Sequence, residues 1–172
     1  MDLRFVPPEL RRLDDTTVEL CACGFWRDVR PPQGLAALLD WRLAGRLTAL
    51  MKRDFVRGDL GEALLVPGKP HVPFEKLLLV GVGDRAAFDD DAFRRAVERI
   101  ARSLEGLRVR RALVELPGRA ANAIAPERAI ELTLECVGAS TEHDAWWLVE
   151  DAASQKRMEQ RADDERRRAR MA

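Results

Sequence analysis

The chain has 172 residues, of which 47% are hydrophobic and 34% are charged, a composition that fits one globular domain and excludes wholesale disorder. Its 29 Lys and Arg residues balance 29 Asp and Glu residues, which argues against a protein held on nucleic acid by bulk positive charge. No apolar run approaches the roughly 20 residues that span a bilayer, and no hydrophobic signal segment follows Met1. We therefore expect a cytoplasmic protein that makes no membrane contact.

Hydrophobic periodicity and turn residues predict strands that alternate with helices along the chain. Strands are expected at 3–6, 17–23, 62–66, 76–80, 111–116 and 145–149, and helices at 35–51, 89–104 and 126–137. The run at 76–80 is apolar throughout, which is typical of a central strand that is covered on both faces. This order predicts an α/β fold, a three-layer sandwich in which a mixed, largely parallel sheet is flanked by helices.

The charge pattern divides the chain into one domain over residues 1–150 and a charged helical tail over residues 151–172. Within the domain, Cys21 and Cys23 are expected to be small buried hydrophobic residues. His71 and His143 have no second His or Cys at metal-ligand spacing, so both are predicted to lie at the surface. We expect no metal, no cofactor and no catalytic residues.

Four short motifs, in this order, resemble the N-terminal domain of the leucyl aminopeptidase family. They are LDWRLAG at 39–45, DFVRG at 54–58, GEALLVP at 61–67 and LLLVGVGDR at 77–85, followed by Phe88. The resemblance implies a macro-domain-like fold, which in the full-length family is attached to a hexameric catalytic core. That core carries two metal ions and motifs such as Asn-Thr-Asp-Ala-Glu-Gly-Arg, which this sequence lacks. Peptidase activity is therefore not expected.

Three segments are candidate binding sites. Gly81, Val82 and Gly83 follow the central strand, where open α/β sheets bind ligands and glycines let backbone amides approach a phosphate. Macro domains that resemble this fold bind ADP-ribose with glycine-rich loops in a comparable place. The alternative reading of this segment is a tight turn, because Asp84 and the acidic residues after it would repel phosphate.

Aromatic side chains and the basic tail supply the other two candidates. Adjacent Trp residues on a strand project to opposite faces, so one can enter the core while the other needs cover from the tail or from another chain. The interface candidates are Trp26, Trp41, Trp146 and Trp147. The nucleic-acid candidates are Arg166, Arg167, Arg168 and Arg170, although the acidic residues among them favour a solvated helix with ion pairs.

The sequence therefore predicts a non-catalytic module for interaction, assembly or regulation, whose partner is another protein or a second copy of the chain. One alternative is a macro-type binder of ADP-ribose or a related nucleotide. The other alternative is a nucleic-acid-associated protein that uses the arginine-rich tail, and the zero net charge of the chain argues against such a partner.

Overall fold

The computed structural model describes residues 1–171, with side chains described as far as Arg168. One sheet contains six strands: β1 (Asp2–Val6), β2 (Leu20–Phe25), β3 (Ala63–Pro67), β4 (Lys76–Gly81), β5 (Arg111–Val114) and β6 (Ala145–Val149). Their order across the sheet is β1-β6-β5-β2-β4-β3, and each neighbouring pair is parallel except β3 with β4. The predicted mixed, largely parallel sheet is confirmed.

Helices cover both faces of this sheet. They are α1 (Leu10–Asp14), α2 (Gly34–Arg42), α3 (Arg46–Lys52), α4 (Asp90–Gly106), α5 (Pro126–Val137) and α6 (Ala152–Met171). One core joins β-strand residues to α4, α5 and α6, and a second core joins the opposite face to α2 and α3. Cys21 and Cys23 are buried in the second core, as predicted. The molecule is thus a three-layer sandwich.

The prediction of one helix over residues 35–51 is wrong, because the chain turns between α2 and α3. Ala44 and Gly45 have φ angles of 53° and 78°, in the left-handed region that ends a helix. The buried Asp40 carboxylate then accepts hydrogen bonds from the Leu47 amide at 2.7 Å and the Thr48 amide at 3.2 Å. Asp40 therefore caps α3 from the preceding helix and fixes the angle between the two.

Helix α6 belongs to the same folded body as the sheet. Its Met158 and Ala162 side chains are buried in the core shared with α4 and α5. Arg161 also contacts Glu131 of α5 at 2.8 Å. The tail thus packs on the domain, on the side of the sheet that holds Trp146. Over residues 1–171, no helix combines the length and the apolar character needed to cross a bilayer.

His143 is buried and not, as predicted, at the surface. Its ring lies 5.4 Å from the Trp146 ring in an edge-on arrangement, and its Nε2 is 3.4 Å from Glu105 Oε1. Burial lowers the pKa of His143, and the nearby Glu105 only partly opposes that shift. His71 is exposed, as predicted.

Candidate functional site

The centre of the sheet contains the crevice in which open α/β sheets bind ligands. Strands β2 and β5 are neighbours, but the chain leaves β2 towards α2 on one face and leaves β5 towards α5 on the other. Such a divergence leaves a crevice outside the carboxyl ends of the two strands. We call it the switch-point crevice.

The switch-point crevice is almost filled by protein. Its cavity of about 20 Å³ is lined by residues that include Gly24, Trp26, Val82, Glu115 and Gly118. Small-molecule sites usually have about 300–1,000 Å³, whereas this volume suits a single water molecule. The crevice in this conformation does not have room for a nucleotide.

Glu115 is the charged group at this crevice. It directly follows β5, and its Oε2 accepts a hydrogen bond from the Leu35 amide in the first turn of α2 at 2.8 Å. The carboxylate also packs against Gly34, where an added Cβ would lie 2.8 Å from both of its oxygens. A helix N-terminus is a ready-made anion site, and at α2 the carboxyl group of Glu115 occupies it.

The environment of Glu115 favours its neutral form. Burial raises the pKa of Glu115 to about 7, and the nearby Glu150 adds to that rise, while the Leu35 amide opposes it. The thiols of Cys21 and Cys23 also interact with Glu115, and burial raises the pKa of each thiol. The carboxyl group of Glu115 therefore changes its protonation near neutral pH.

A larger cavity of about 370 Å³ lies beside the crevice and shares Glu115 with it. We call it the acidic cavity, because Glu115, Glu150 and Asp151 line it against one cation, Arg119. Arg119 and Glu150 form a buried ion pair, with Nε to Oε1 at 2.7 Å and Nη2 to Oε2 at 3.1 Å. Burial raises the pKa of Glu150, although its bonds to Arg119 oppose that shift.

Sequence reasoning did not single out these charged residues of the acidic cavity. Two of them left a signal, since Glu115 lies inside the apolar run at 111–116 and Glu150 directly follows the apolar strand β6. An acidic residue at the carboxyl end of a buried strand is unusual enough to mark a site. The contact between Glu115 and α2, however, joins residues 80 positions apart, which no local pattern reveals.

The predicted glycine segment lies next to the crevice, with its amides already bonded within the protein. The amides of Gly81, Val82 and Gly83 donate to the carbonyl oxygens of Glu62, Phe25 and Gly58, respectively. Of this segment, only Val82 lines the small cavity. A phosphate would have to displace these backbone bonds in order to use the three amides.

The four candidate Trp residues lie in different environments. Trp146 is fully buried, and Trp26 is 7% exposed and packs edge-on against Phe88, so neither side chain can contact another chain. Trp147 lies on the opposite face from Trp146, as predicted, where the Arg4 guanidinium covers its ring at 4.8 Å. Trp41 on α2 is 75% exposed. It borders a concave surface of about 500 Å³ that also includes Pro31, Pro32, Ala37 and Ala44.

The candidate arginines on α6 alternate with acidic residues. Arg166 lies 3.6 Å from Asp163, and Arg168 lies 3.1 Å from Glu165. Arg167 is exposed, and the side chain of Arg170 lies outside the described residues. Up to Arg168, no group of three or more His, Cys, Asp or Glu side chains has the arrangement of a metal site.

Comparison with known sequences identifies a family match. Residues 24–143 match the model of the cytosol aminopeptidase family, N-terminal domain. A probable cytosol aminopeptidase of Pseudomonas fluorescens (strain SBW25) is 39% identical over 75 residues, covering 43% of this chain and 15% of the relative. A second, from Thermosynechococcus vestitus, is 37% identical over 92 residues, or 54% and 18% of the two chains. The chain therefore matches less than a fifth of these curated relatives.

Comparison with solved structures identifies the fold. A variant of the Oceanobacillus iheyensis macrodomain has a TM-score of 0.76 at 6% identity and covers 96% of this chain and 93% of its own. A mutant of tomato leucine aminopeptidase has a TM-score of 0.64 at 15% identity, covering 94% of this chain and 35% of that one. At these identities the likeness shows the fold alone, and the predicted macro-domain-like architecture is confirmed.

Proposed function

Because the chain belongs to the cytosol aminopeptidase family through its N-terminal domain, we propose that it is a non-catalytic assembly module of the cytoplasm. Its matches cover the N-terminal domain of the relatives, at 15% and 18% of their lengths. The described residues hold no metal-site cluster, and the switch-point crevice has room for about one water molecule. These observations support a role in contacts at the surface of the domain.

The observation that carries this proposal is the exposure of Trp41. A Trp side chain that is 75% exposed leaves a large apolar area in water, and Trp is enriched among the residues that dominate interface energies. The concave surface that Trp41 borders also includes Pro31, Pro32 and Ala37. We call Trp41 with these residues the α2 surface. Its apolar character fits the contact face of a protein partner.

The α2 surface is held rigidly, which lowers the entropy lost on binding. Asp40 precedes Trp41 and is fixed by its hydrogen bonds to the α3 amides of Leu47 and Thr48. The backbone carbonyl oxygen of Asp40 also accepts a hydrogen bond from the Gly45 amide at 2.8 Å. The backbone that carries Trp41 is therefore in place before a partner arrives.

The partner that we propose is a second copy of the chain. With 29 basic and 29 acidic side chains and a pI near 6.8, two copies at neutral pH lack the net repulsion that keeps many proteins monomeric. Two α2 surfaces that face each other would cover both Trp41 rings in an isologous contact.

Sedimentation equilibrium over a wide range of concentration tests this assembly. We expect the average mass of the natural chain to rise with concentration, and Trp41→Ala to weaken the association at least about tenfold. Leu65→Ala is the matched control, because Leu65 is also exposed but lies opposite Leu78, on the other face of the sheet from α2. A strict monomer at high concentration, or equal effects of both substitutions, would refute the proposal.

A macro-type nucleotide binder is the alternative function, and the fold favours it while the crevice does not. The carboxylate of Glu115 occupies the N-terminus of α2, where it would repel a phosphate. A thermal-shift titration with ADP-ribose separates the two functions, since a ligand at 100 times its Kd stabilises its protein by about 2.7 kcal/mol. We expect no shift at millimolar ADP-ribose, and a saturable rise in Tm would favour the nucleotide binder.

A further inference from the structure

The acidic cavity is lined by three carboxylates, one guanidinium and the amide side chain of Asn122. Its one guanidinium, on Arg119, donates four of its five N–H groups: two to Glu150, one to the Ile124 carbonyl at 2.6 Å and one to Ser154 Oγ at 3.1 Å. Arg119 therefore neutralises Glu150, and none of its hydrogen bonds is donated to Glu115 or Asp151. The polar side that remains for a ligand is anionic.

Glu115 is the acceptor that is left without a second partner. Its residue is only 7% exposed, and its Oε2 accepts the Leu35 amide. Among the hydrogen bonds of the described side chains, none is donated to its Oε1, and Glu115 lines the cavity. Because Oε1 is not among the fully buried atoms that lack a partner, it keeps contact with solvent, and a ligand that displaces water from it must supply a donor in its place.

We propose that the acidic cavity binds a primary ammonium group carried on a short apolar stem, with the ammonium donating to Glu115. Leu38 and Val149 supply apolar lining for the stem, and Pro8 and Ala120 also line the cavity. The cavity volume of about 370 Å³ lies within the range of small-molecule sites. This inference goes beyond the assembly function and does not depend on Trp41.

Two other ligand classes fit the acidic cavity less well. An anion would face Glu115 and Asp151 without a free cation, since Arg119 is committed to Glu150. A divalent metal needs several oxygen ligands that converge on one point, and no such group of acidic side chains is present over the part of the chain with described side chains. A single ammonium requires only one or two acceptors and an apolar wall.

A titration followed by amide NMR tests the proposal at pH 8 and constant ionic strength. The probe is n-butylammonium chloride, which stays charged at this pH as a lysine does, and n-butanol is the uncharged control with the same stem. We expect saturable shifts of the Leu35 and Ala120 amides with butylammonium and none with butanol. Equal responses to both probes, or no saturable response, would overturn the proposal.

Two variants locate the binding. Glu115→Gln keeps an acceptor for the Leu35 amide and removes the charge, so its spectrum should remain folded while butylammonium binds at least tenfold more weakly. Glu159→Gln removes one exposed carboxylate from α6 and should leave binding unchanged. An equal loss in both variants would show that the ammonium responds only to net charge, and would contradict the site.

The source of the ammonium is distinguished with a third probe. Nα-acetyl-lysine N-methylamide presents the same group as the side chain of a peptide. If it binds more tightly than butylammonium, the natural ligand is a lysine side chain of a protein or peptide. If it binds more weakly, the cavity is a site for free small amines.

Discussion

Glu115 couples the stability of the domain to pH. Its pKa in the folded protein is about 7, against 4.5 for an exposed carboxyl. Between these two pKa values, the folded state holds a proton that the unfolded state has lost. The contribution of this group to the free energy of unfolding is therefore complete below pH 4.5 and is lost as the pH rises through 7. The groups around it do not reverse this sign, because the Cys21 and Cys23 thiols stay neutral and Glu150 is paired with Arg119.

Replacing Glu115 by Gln should remove this dependence. Glu115→Gln is expected to be more stable than the natural protein at pH 8 by on the order of 3 kcal/mol, and similar to it at pH 4.5. Urea denaturation at the two pH values measures the difference. Parallel stability profiles for the two proteins would show that Glu115 has an ordinary pKa.

The sequence could not predict this residue-scale site. Glu115 lies within a run that the pattern assigns to a strand over 111–116, whereas β5 ends at Val114 and the carboxylate reaches the first turn of α2. Gly81, Val82 and Gly83 were candidates instead, because they follow the central strand and glycines let backbone amides approach a phosphate. A buried carboxylate leaves only the weak signal of one charge between Val114 and Leu116.

At the scale of elements, Gly81 at the end of β4 packs against the backbone of the loop that precedes β3. A Cβ at residue 81 would lie 2.1 Å from the Asp59 carbonyl oxygen and 2.7 Å from the Gly58 carbonyl carbon. Both are backbone atoms, which cannot move aside as a flexible side chain can. The glycine is therefore required by the close approach of two backbone segments.

Gly81→Ala should destabilise the domain by about 1–3 kcal/mol, since the added methyl forces the backbone apart. Gly106→Ala is the matched control, because a Cβ at the end of α4 meets nothing within 4 Å and alanine favours a helix. Thermal unfolding of both variants measures the contrast. A neutral Gly81→Ala would contradict the packing of the 58–61 loop on β4.

Helix α6 should depend on a small number of buried side chains. Met158 is completely buried in the core with α4 and α5, so Met158→Ala is expected to cost about 2–5 kcal/mol. Lys156→Ala on the exposed side of the same helix should change stability by less than about 0.5 kcal/mol. Equal denaturation midpoints for the two variants would mean that α6 is not part of the folded unit.

Hydrophobic periodicity predicts some of the helices correctly and merges two others. It predicts α4 and α5 well, because each has one apolar stripe, a first-turn signal and a nearby glycine. Over 35–51 the apolar stripe continues through the turn between α2 and α3, so the pattern could not show the break. The residues that mark the break are Gly45, which has a positive φ, and Asp40, whose carboxylate caps α3.

At the scale of the whole molecule, strand and helix order predicts the architecture, because buried runs and turn residues are local. The three-layer sandwich and the mixed sheet follow from that order. The residues around the switch-point crevice cannot be predicted from that order, because their arrangement depends on contacts between segments far apart in the chain, such as Glu115 with Leu35. Trp41 illustrates this difference, since its residue type was visible in the sequence and its 75% exposure was not.

Hydrogen–deuterium exchange at several protein concentrations tests most directly whether the chain assembles through the α2 surface. As concentration rises, amides over Gly34–Arg42 should become more protected, whereas those of β3, an edge strand of the sheet, should not change. Exchange that is independent of concentration throughout, or protection that appears at β3 and not at α2, would contradict the account.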